Sequence, residues 1–317
     1  MEELKAVSFF YDIGRSKFAG YSRSNSEYID NFVKFFSEIE IELLLVTSLE
    51  LKNEIEDAIS KQSKNFKTHL SFLLIDFSEF DHLLSSKEIA GILESPQMAF
   101  VRTRSTISAN SSSIFKNGFI KAFFRTKSTT IFDLLPIKNF AAPEYAYSEY
   151  LKLIWLKPSI VKLAFESKFV QKHEVIAFLD FGIGHGDSNF INRLTQGKIS
   201  ISDPKWDTKK LIIPKRLNGA LSPNPWDYAN LIDDAFIPTG FFISNYESTK
   251  NLSKWWDAKI IALSKELIVV DDQTLMAIYS AEQQNAIQFV ETFDDENLYG
   301  LERWLPLIKF FVKNEAV

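Results

Sequence analysis

The densest concentration of reactive side chains is Leu179-Asp180-Phe181-Gly182-Ile183-Gly184-His185-Gly186-Asp187. The apolar run Glu174-Val175-Ile176-Ala177-Phe178-Leu179 before it reads as a buried strand that ends on the Asp180 carboxylate. Open α/β folds bind ligands at such strand ends. Three glycines in five positions, Gly182, Gly184 and Gly186, let a backbone come close to a ligand. Asp180, His185 and Asp187 offer ligands to a divalent cation, Mn2+ or Mg2+. Such a cation would neutralise a departing pyrophosphate. The competing reading is a turn whose polar residues only cap the next helix. A protein-kinase site is excluded by order. There the DFG lies downstream of the HxD-type segment, whereas here Asp180-Phe181-Gly182 comes before His185-Gly186-Asp187. His69 and His82 read as structural or solvent-facing, and His173 precedes the strand with no reactive neighbour in view.

The elements that must position Asp180 begin at the N-terminus. Ala6–Tyr11 reads as a buried strand. Ser24 and Ser26 offer N-caps to a helix whose apolar face is Tyr28, Ile29, Phe32, Phe35, Phe36 and Ile39. Strands over Ile41–Thr47 and Leu70–Asp76, with a helix over Leu49–Lys61, complete a βαβαβ rhythm. Ser105–Ser113 is serine-rich and reads as a loop. Glu144–Phe169 reads as helical, with Pro158 kinking it or starting a new helix. Beyond the Asp180 strand, Leu211–Ile213 and Ala235–Ile237 read as strands. Leu252–Leu263, Asp272–Ser280 and Leu301–Val312 read as helices. Neither a repeat nor a linker interrupts the chain, so its two halves are expected to share one sheet.

Composition narrows the function. The chain has 317 residues, enough for one elaborate α/β domain, and a net charge of −5 that argues against a nucleic-acid partner. It contains no cysteine, which removes thiolate nucleophiles and zinc–thiolate sites. The N-terminal Met1-Glu2-Glu3 is unlike a signal peptide, and no apolar run is long enough to span a bilayer. The expectation is a cytoplasmic protein.

Four ordered blocks carry a family resemblance: Val7-Ser8-Phe9-Phe10-Tyr11-Asp12-Ile13-Gly14-Arg15; Pro143-Glu144-Tyr145 with Ser148-Glu149-Tyr150 and Leu156-Lys157; Leu179-Asp180-Phe181-Gly182 with His185; and Val270-Asp271-Asp272-Gln273. On these the chain resembles the HtrL/YibB family of bacterial surface-polysaccharide proteins, which are similar to GT-A glycosyltransferases. The resemblance implies a GT-A-like, Rossmann-like, mostly parallel sheet flanked by helices, with an added mixed C-terminal part. It implies one domain over 1–317, with a nucleotide-sugar-binding half at 1–190 and an acceptor-binding, catalytic half at 191–317. It places the donor on Asp12, Gly14, Arg15, Tyr150, Lys157, Asp180, Gly182, Thr239 and Gly240. Arg15 would meet phosphate with its fork of donors. Tyr150 and Lys157 lie seven residues apart, on one helix face if Pro158 does not disturb it. Asp180 would stand at the first acid of a DxD metal motif whose second position is Gly182 here. Asp272, with Asp271 beside it, would be the general base, although helix capping alone also favours acids there.

The reading is therefore a glycosyltransferase that moves a sugar from a nucleotide-diphosphate sugar to a hydroxyl of a lipopolysaccharide, lipooligosaccharide or capsule glycan. Its alternatives are a non-catalytic glycan- or nucleotide-binding homologue and a sugar-phosphate transferase on a related fold. The aromatic, basic segment Trp304–Lys313 is a candidate for peripheral contact with the inner face of the membrane, near lipid-linked acceptors. A terminal helix packed on the core is the favoured reading of that segment.

Overall fold

The computed structural model describes residues 4–18, 22–37, 39–62, 66–80, 83–99, 101, 143–182, 206–216, 221–228, 237 and 239–292. The three N-terminal apolar runs form β1 (Lys5–Phe10), β2 (Glu42–Thr47) and β3 (His69–Leu74). They pair in parallel, with Phe9 opposite Val46 and Val46 opposite Leu73. Parallel neighbours need crossovers, and α1 (Asn25–Ser37) and α2 (Leu49–Gln62) supply them. Ser24 is the N-cap of α1. Glu27 N donates to its Oγ at 3.2 Å, and Ser24 N donates back to Glu27 Oε2 at 2.7 Å.

The sheet has seven strands in the order β3-β2-β1-β4-β6-β5-β7, where β4 is Val175–Leu179, β5 Leu211–Arg216, β6 Phe241–Asn245 and β7 Ile287–Thr292. β6 runs antiparallel to β4 and β5, and the other pairings are parallel. Strands from both halves of the chain thus lie in one mostly parallel sheet. Side chains alternate between its two faces. Ala6, Phe10, Leu43, Leu45, Ala177 and Leu179 bury against Phe32, Phe36 and Ile55 of α1 and α2. Val7, Phe9, Leu44, Val46, Ile176 and Phe178 bury on the opposite face.

Helices α3 (Ser86–Leu93), α5 (Ser148–Trp155), α6 (Lys157–Glu166), α8 (Tyr246–Lys265) and α9 (Asp272–Glu282) pack on that second face. Two short helical turns are α4 (Pro143–Ala146) and α7 (Pro225–Tyr228). None of the described helices is long and apolar enough to cross a membrane.

The helical stretch expected at Glu144–Phe169 is broken next to Pro158, as its sequence implies: α5 stops at Trp155 and α6 restarts at Lys157, with Leu156 shared as C-cap and N-cap. Pro158 explains the break, because it has no N–H to donate and its ring crowds the carbonyl four residues back. Tyr150 and Lys157 consequently do not share a helix face. Of the strand expected at Ala235–Ile237, Ala235 and Phe236 lie outside the described residues and Ile237 sits in a bend; β6 begins at Phe241. β7 was not anticipated, because Ile287-Gln288-Phe289-Val290-Glu291-Thr292 is too polar to stand out as a buried run. The segments Ser105–Ser113, Leu301–Val312 and Trp304–Lys313 lie outside the described residues.

Two helices end on left-handed residues that are not glycine. After α6, Lys168 has φ 63, and after α8, Leu267 has φ 56. Around Leu267 the chain makes a Schellman closure, with Ile268 N donating to Leu263 O at 3.0 Å and Leu267 N to Ser264 O at 3.0 Å. A left-handed non-glycine residue costs about 1–2 kcal/mol. Lys168 is exposed, so its side chain offers little packing in return. Lys168→Gly is expected to raise the unfolding free energy in urea by about 0.5 kcal/mol, the relief less the extra chain entropy of glycine. A loss of stability would contradict this account.

Candidate active site

The strand order reverses direction between β1 and β4, which makes their carboxyl ends the natural binding crevice. Asp180 is at that point. It follows β4 directly, and its N–H donates to Gly240 O at 2.8 Å. The next residue locks the turn. Phe181 is buried and stacks on Phe10 at 4.2 Å and on Phe32 at 4.4 Å. Gly182 N donates to Asp180 Oδ1 at 2.9 Å. A side chain at Gly182 would press on this arrangement, since its Cβ would lie 3.3 Å from Asp180 Oδ1 and 3.4 Å from Tyr28 Cε1. The Asp180 side chain remains 46% exposed.

Beneath it is a buried charge cluster. Lys157, the first residue of α6, donates its ammonium to Asp272 Oδ2, to Thr239 Oγ1 at 3.2 Å and to Thr239 O at 3.3 Å. Asp180 Oδ2 is 3.6 Å from the same nitrogen. Thr239 Oγ1 in turn donates to Asp272 Oδ2. Burial disfavours the Lys157 charge, but the facing carboxylates of Asp272 and Asp180 outweigh it and hold the ammonium above its ordinary range. Lys157, Thr239 and Asp272 are all buried, so of the group only Asp180 meets solvent substantially.

The loop after β1 forms the neighbouring wall. Gly14 takes φ 71, and its N–H donates to Asp12 Oδ1 at 2.8 Å, an Asx turn that glycine accommodates without strain. The turn leads into Arg15, whose Cζ lies 4.8 Å from the Tyr150 ring centroid and 5.3 Å from that of Tyr28. Two rings at this range hold a guanidinium by cation–π attraction. Its Nε is buried and meets no acceptor. Arg23 lies 5.8 Å from the Tyr28 ring. Burial raises the Tyr28 phenol, while Arg15 and Arg23 pull it down.

Asp271 adjoins Asp272 at the head of α9. It is the N-cap of α9, with Thr274 N donating to its Oδ1 at 2.7 Å, and Tyr145 OH lies 3.4 Å from its Oδ2. Desolvation, followed by repulsion from Asp272, pushes its carboxyl up to about 6. Trp155 Nε1 donates to Val270 O at 2.8 Å and so pins the segment that delivers both acids.

The residues expected at a site therefore gather in two touching groups. Asp12, Gly14, Arg15, Tyr150, Asp180 and Gly182 line the crevice, while Lys157, Thr239, Gly240 and Asp272 lie behind Asp180. Tyr28, Arg23 and Tyr145 were not anticipated. Tyr28 was legible only as a tyrosine on a helix face otherwise made of phenylalanine and isoleucine. His185 and Asp187, two of the three expected metal ligands, lie outside the described residues. Among the described residues no three His, Cys, Asp or Glu side chains gather into a metal-holding group. Asp272 is already committed to Lys157 and Thr239, so the described donors do not fit a cage in which Asp180 and Asp272 share a cation.

The sheet order and the crevice define an α/β fold of the GT-A-like, Rossmann-like class. The chain belongs to the family described as bacterial protein of unknown function (HtrL_YibB), which it matches over residues 121–299, more than half its length. The Val7–Arg15 block lies outside that match. No curated protein matches. Among solved structures, mouse xyloside xylosyltransferase 1 in its apo form aligns with a TM-score of 0.43 at 10% identity, over 99% of this chain and 95% of that one. The 4-diphosphocytidyl-2C-methyl-D-erythritol synthase of Anaerococcus prevotii DSM 20548 aligns with a TM-score of 0.30 at 12% identity, over 97% and 95%. The fold class rests on the sheet itself rather than on these distant likenesses.

Asp271 has a consequence for stability. Its folded-state carboxyl holds a proton up to about 6, against an ordinary value of 3.8, so the folded chain binds more protons than the unfolded one between those values. The stabilisation is complete below the lower value and is lost as pH rises through the upper one. Asp271→Asn keeps a good N-cap and removes the charge facing Asp272. It is expected to stabilise the fold at pH 7.5 by on the order of 1 kcal/mol and to flatten the decline between pH 4 and 7, read as Tm against pH. An equal decline in wild type and variant would contradict the assignment.

Proposed function

We propose that this protein is a glycosyltransferase that moves a sugar from a nucleotide-diphosphate sugar to an acceptor hydroxyl. One observation carries the reading: a partly exposed carboxylate, Asp180, stands at the β1–β4 crevice, and Tyr28 feels both its charge and that of a guanidinium held by two tyrosine rings. Arg15 is held in place before a ligand arrives, and it directs its donors to the diphosphate. Tyr150, on which Arg15 lies, borders the nucleotide. Asp180 accepts from hydroxyls of the bound donor. The Asp12–Gly14 turn sets the path of the loop that carries Arg15.

The chemistry asks for one proton acceptor. As the acceptor oxygen bonds to the anomeric carbon, the bond to the diphosphate oxygen breaks and its electron pair leaves with the diphosphate. The hydroxyl proton passes to a carboxylate. Asp272 Oδ2 already accepts from Lys157 and Thr239. Asp271, with its carboxyl raised to about 6, is the better matched base. Asp272 then acts by holding Lys157 and by raising Asp271.

The resemblance to surface-polysaccharide proteins points the acceptor to a lipopolysaccharide, lipooligosaccharide or capsule glycan. It also points to a cytoplasmic location, at the membrane face that presents lipid-linked acceptors. A second reading, a glycan- or nucleotide-binding homologue without turnover, draws on the engagement of Asp272 by Lys157.

Release of nucleoside diphosphate from a panel of nucleotide sugars separates the two readings. Asp180→Asn is expected to lose at least 100-fold in turnover with its thermal unfolding unchanged, about 2.7 kcal/mol of transition-state stabilisation. Near-wild-type turnover would remove Asp180 from the mechanism. In the wild type, kcat is expected to fall as pH drops through about 6, where Asp271 takes its proton. Nucleotide binding without release from any donor would favour the binding homologue.

A further inference from the structure

The charge cluster contains more than the proposed reaction has used. Its centre is an ammonium, and four oxygen atoms surround it: Asp272 Oδ2, Thr239 Oγ1 at 3.2 Å, Thr239 O at 3.3 Å and Asp180 Oδ2 at 3.6 Å. Two carboxylates and a carbonyl around one point form the donor set a hard cation takes, and here a side chain occupies that point. The side chains of Lys157 and Asp272 are only 5% and 6% exposed.

We infer that Lys157 is the fixed cation of this site, a positioning residue that sets Asp180 and Asp272 relative to each other and keeps a divalent ion from bridging them. The inference deepens the transferase reading, since it assigns the positive charge lying closest behind the crevice, but it can be tested without turnover.

Geometry keeps the ammonium in place. Lys157 starts α6 at the Leu156 junction, one residue before Pro158, so its backbone is fixed at a helix start. Its Nζ lies 5.7 Å from the Phe178 ring, over a strand in the middle of the sheet. Swinging it out would strip a buried carboxylate of its counter-charge. An ion bound to both Asp180 and Asp272 would have to sit beside this ammonium, in surroundings that screen like charges poorly. The two carboxylates differ in freedom. Asp272 is hydrogen-bonded by both Lys157 and Thr239, whereas Asp180 is 3.6 Å away and 46% exposed. Asp180 can therefore serve a ligand on its solvent side while Lys157 steadies it from behind. Any divalent ion that the protein binds is confined to that outer side and owes nothing to Asp272.

Mn2+ titration of the full chain, followed by the electron paramagnetic resonance signal of free Mn2+, tests this. Asp272→Asn is expected to leave the apparent Kd within about twofold of wild type, because Asp272 is no ligand. Lys157→Met is expected to tighten Mn2+ binding by at least about tenfold, since it removes the positive charge that competes for two carboxylates. Lys157→Met with Asp272→Asn is expected to lose that gain. A purely structural lysine would not produce tighter metal binding on removal. Should Lys157→Met fail to fold, judged by circular dichroism, Lys157→Gln replaces it, and the Asp272→Asn comparison still decides. The inference is overturned if Asp272→Asn weakens Mn2+ binding tenfold or more, or if a folded Lys157 variant binds Mn2+ no more tightly than wild type. Loss of the transferase reading would leave these titrations fully interpretable.

Discussion

The Lys157–Asp272 ion pair is the constraint around which the site is arranged. Both groups are withdrawn from water, and such a pair holds only while its remaining donors and acceptors are satisfied. Thr239 provides that satisfaction with its hydroxyl and its carbonyl. The pair brings together the start of α6, the turn before β6 and the start of α9, three parts of the chain far apart in sequence. It therefore acts more as a specification of geometry than as a source of net stability. Removing one partner would strand the other, whereas the intact cluster aligns Asp180 and the Asp271–Asp272 step around one nitrogen.

Aromatic packing performs the equivalent task on the other side of the crevice. Phe181 is held between Phe10 of β1 and Phe32 of α1, so the turn carrying Asp180 is anchored to the strand whose loop carries Arg15. Tyr28 links the two walls: its ring packs at the Gly182 position and also lies under Arg15. A larger residue at 182 would disturb both Asp180 and the cation–π platform through one contact.

Most of this frame was legible in the sequence. Uninterrupted apolar runs in β1, β2 and β4 announced buried parallel strands, and the Ser24–Glu27 capping pair marked the start of α1. The site was legible only as a set of residues. That Asp180, Lys157, Thr239 and Asp272 converge on one point depends on β6 running antiparallel beside β4, a pairing no local pattern announces. The placement of Lys157 depends on the same kind of detail. Spacing puts it on the face of Tyr150 only if Pro158 leaves the helix intact; the helix restarts at Lys157, and the side chain is buried. β7 escaped because an edge strand with Gln288 and Glu291 does not display a buried pattern.

Adjacent acids at the head of α9 would be a poor choice if stability alone decided the sequence. One acid suffices as N-cap, and a second only adds repulsion in a partly dry place. The arrangement makes sense if the two are divided in labour by the lysine. Asp272 is ion-paired to Lys157, and its proximity adds to the desolvation that raises the Asp271 carboxyl, against which Thr274 and the Tyr145 hydroxyl donate. Of two chemically identical side chains, one is tied to an ammonium, while the other has its carboxyl raised by burial and by its neighbour. A carboxylate pair pushed apart in this way is a means of assigning proton-transfer roles in a site.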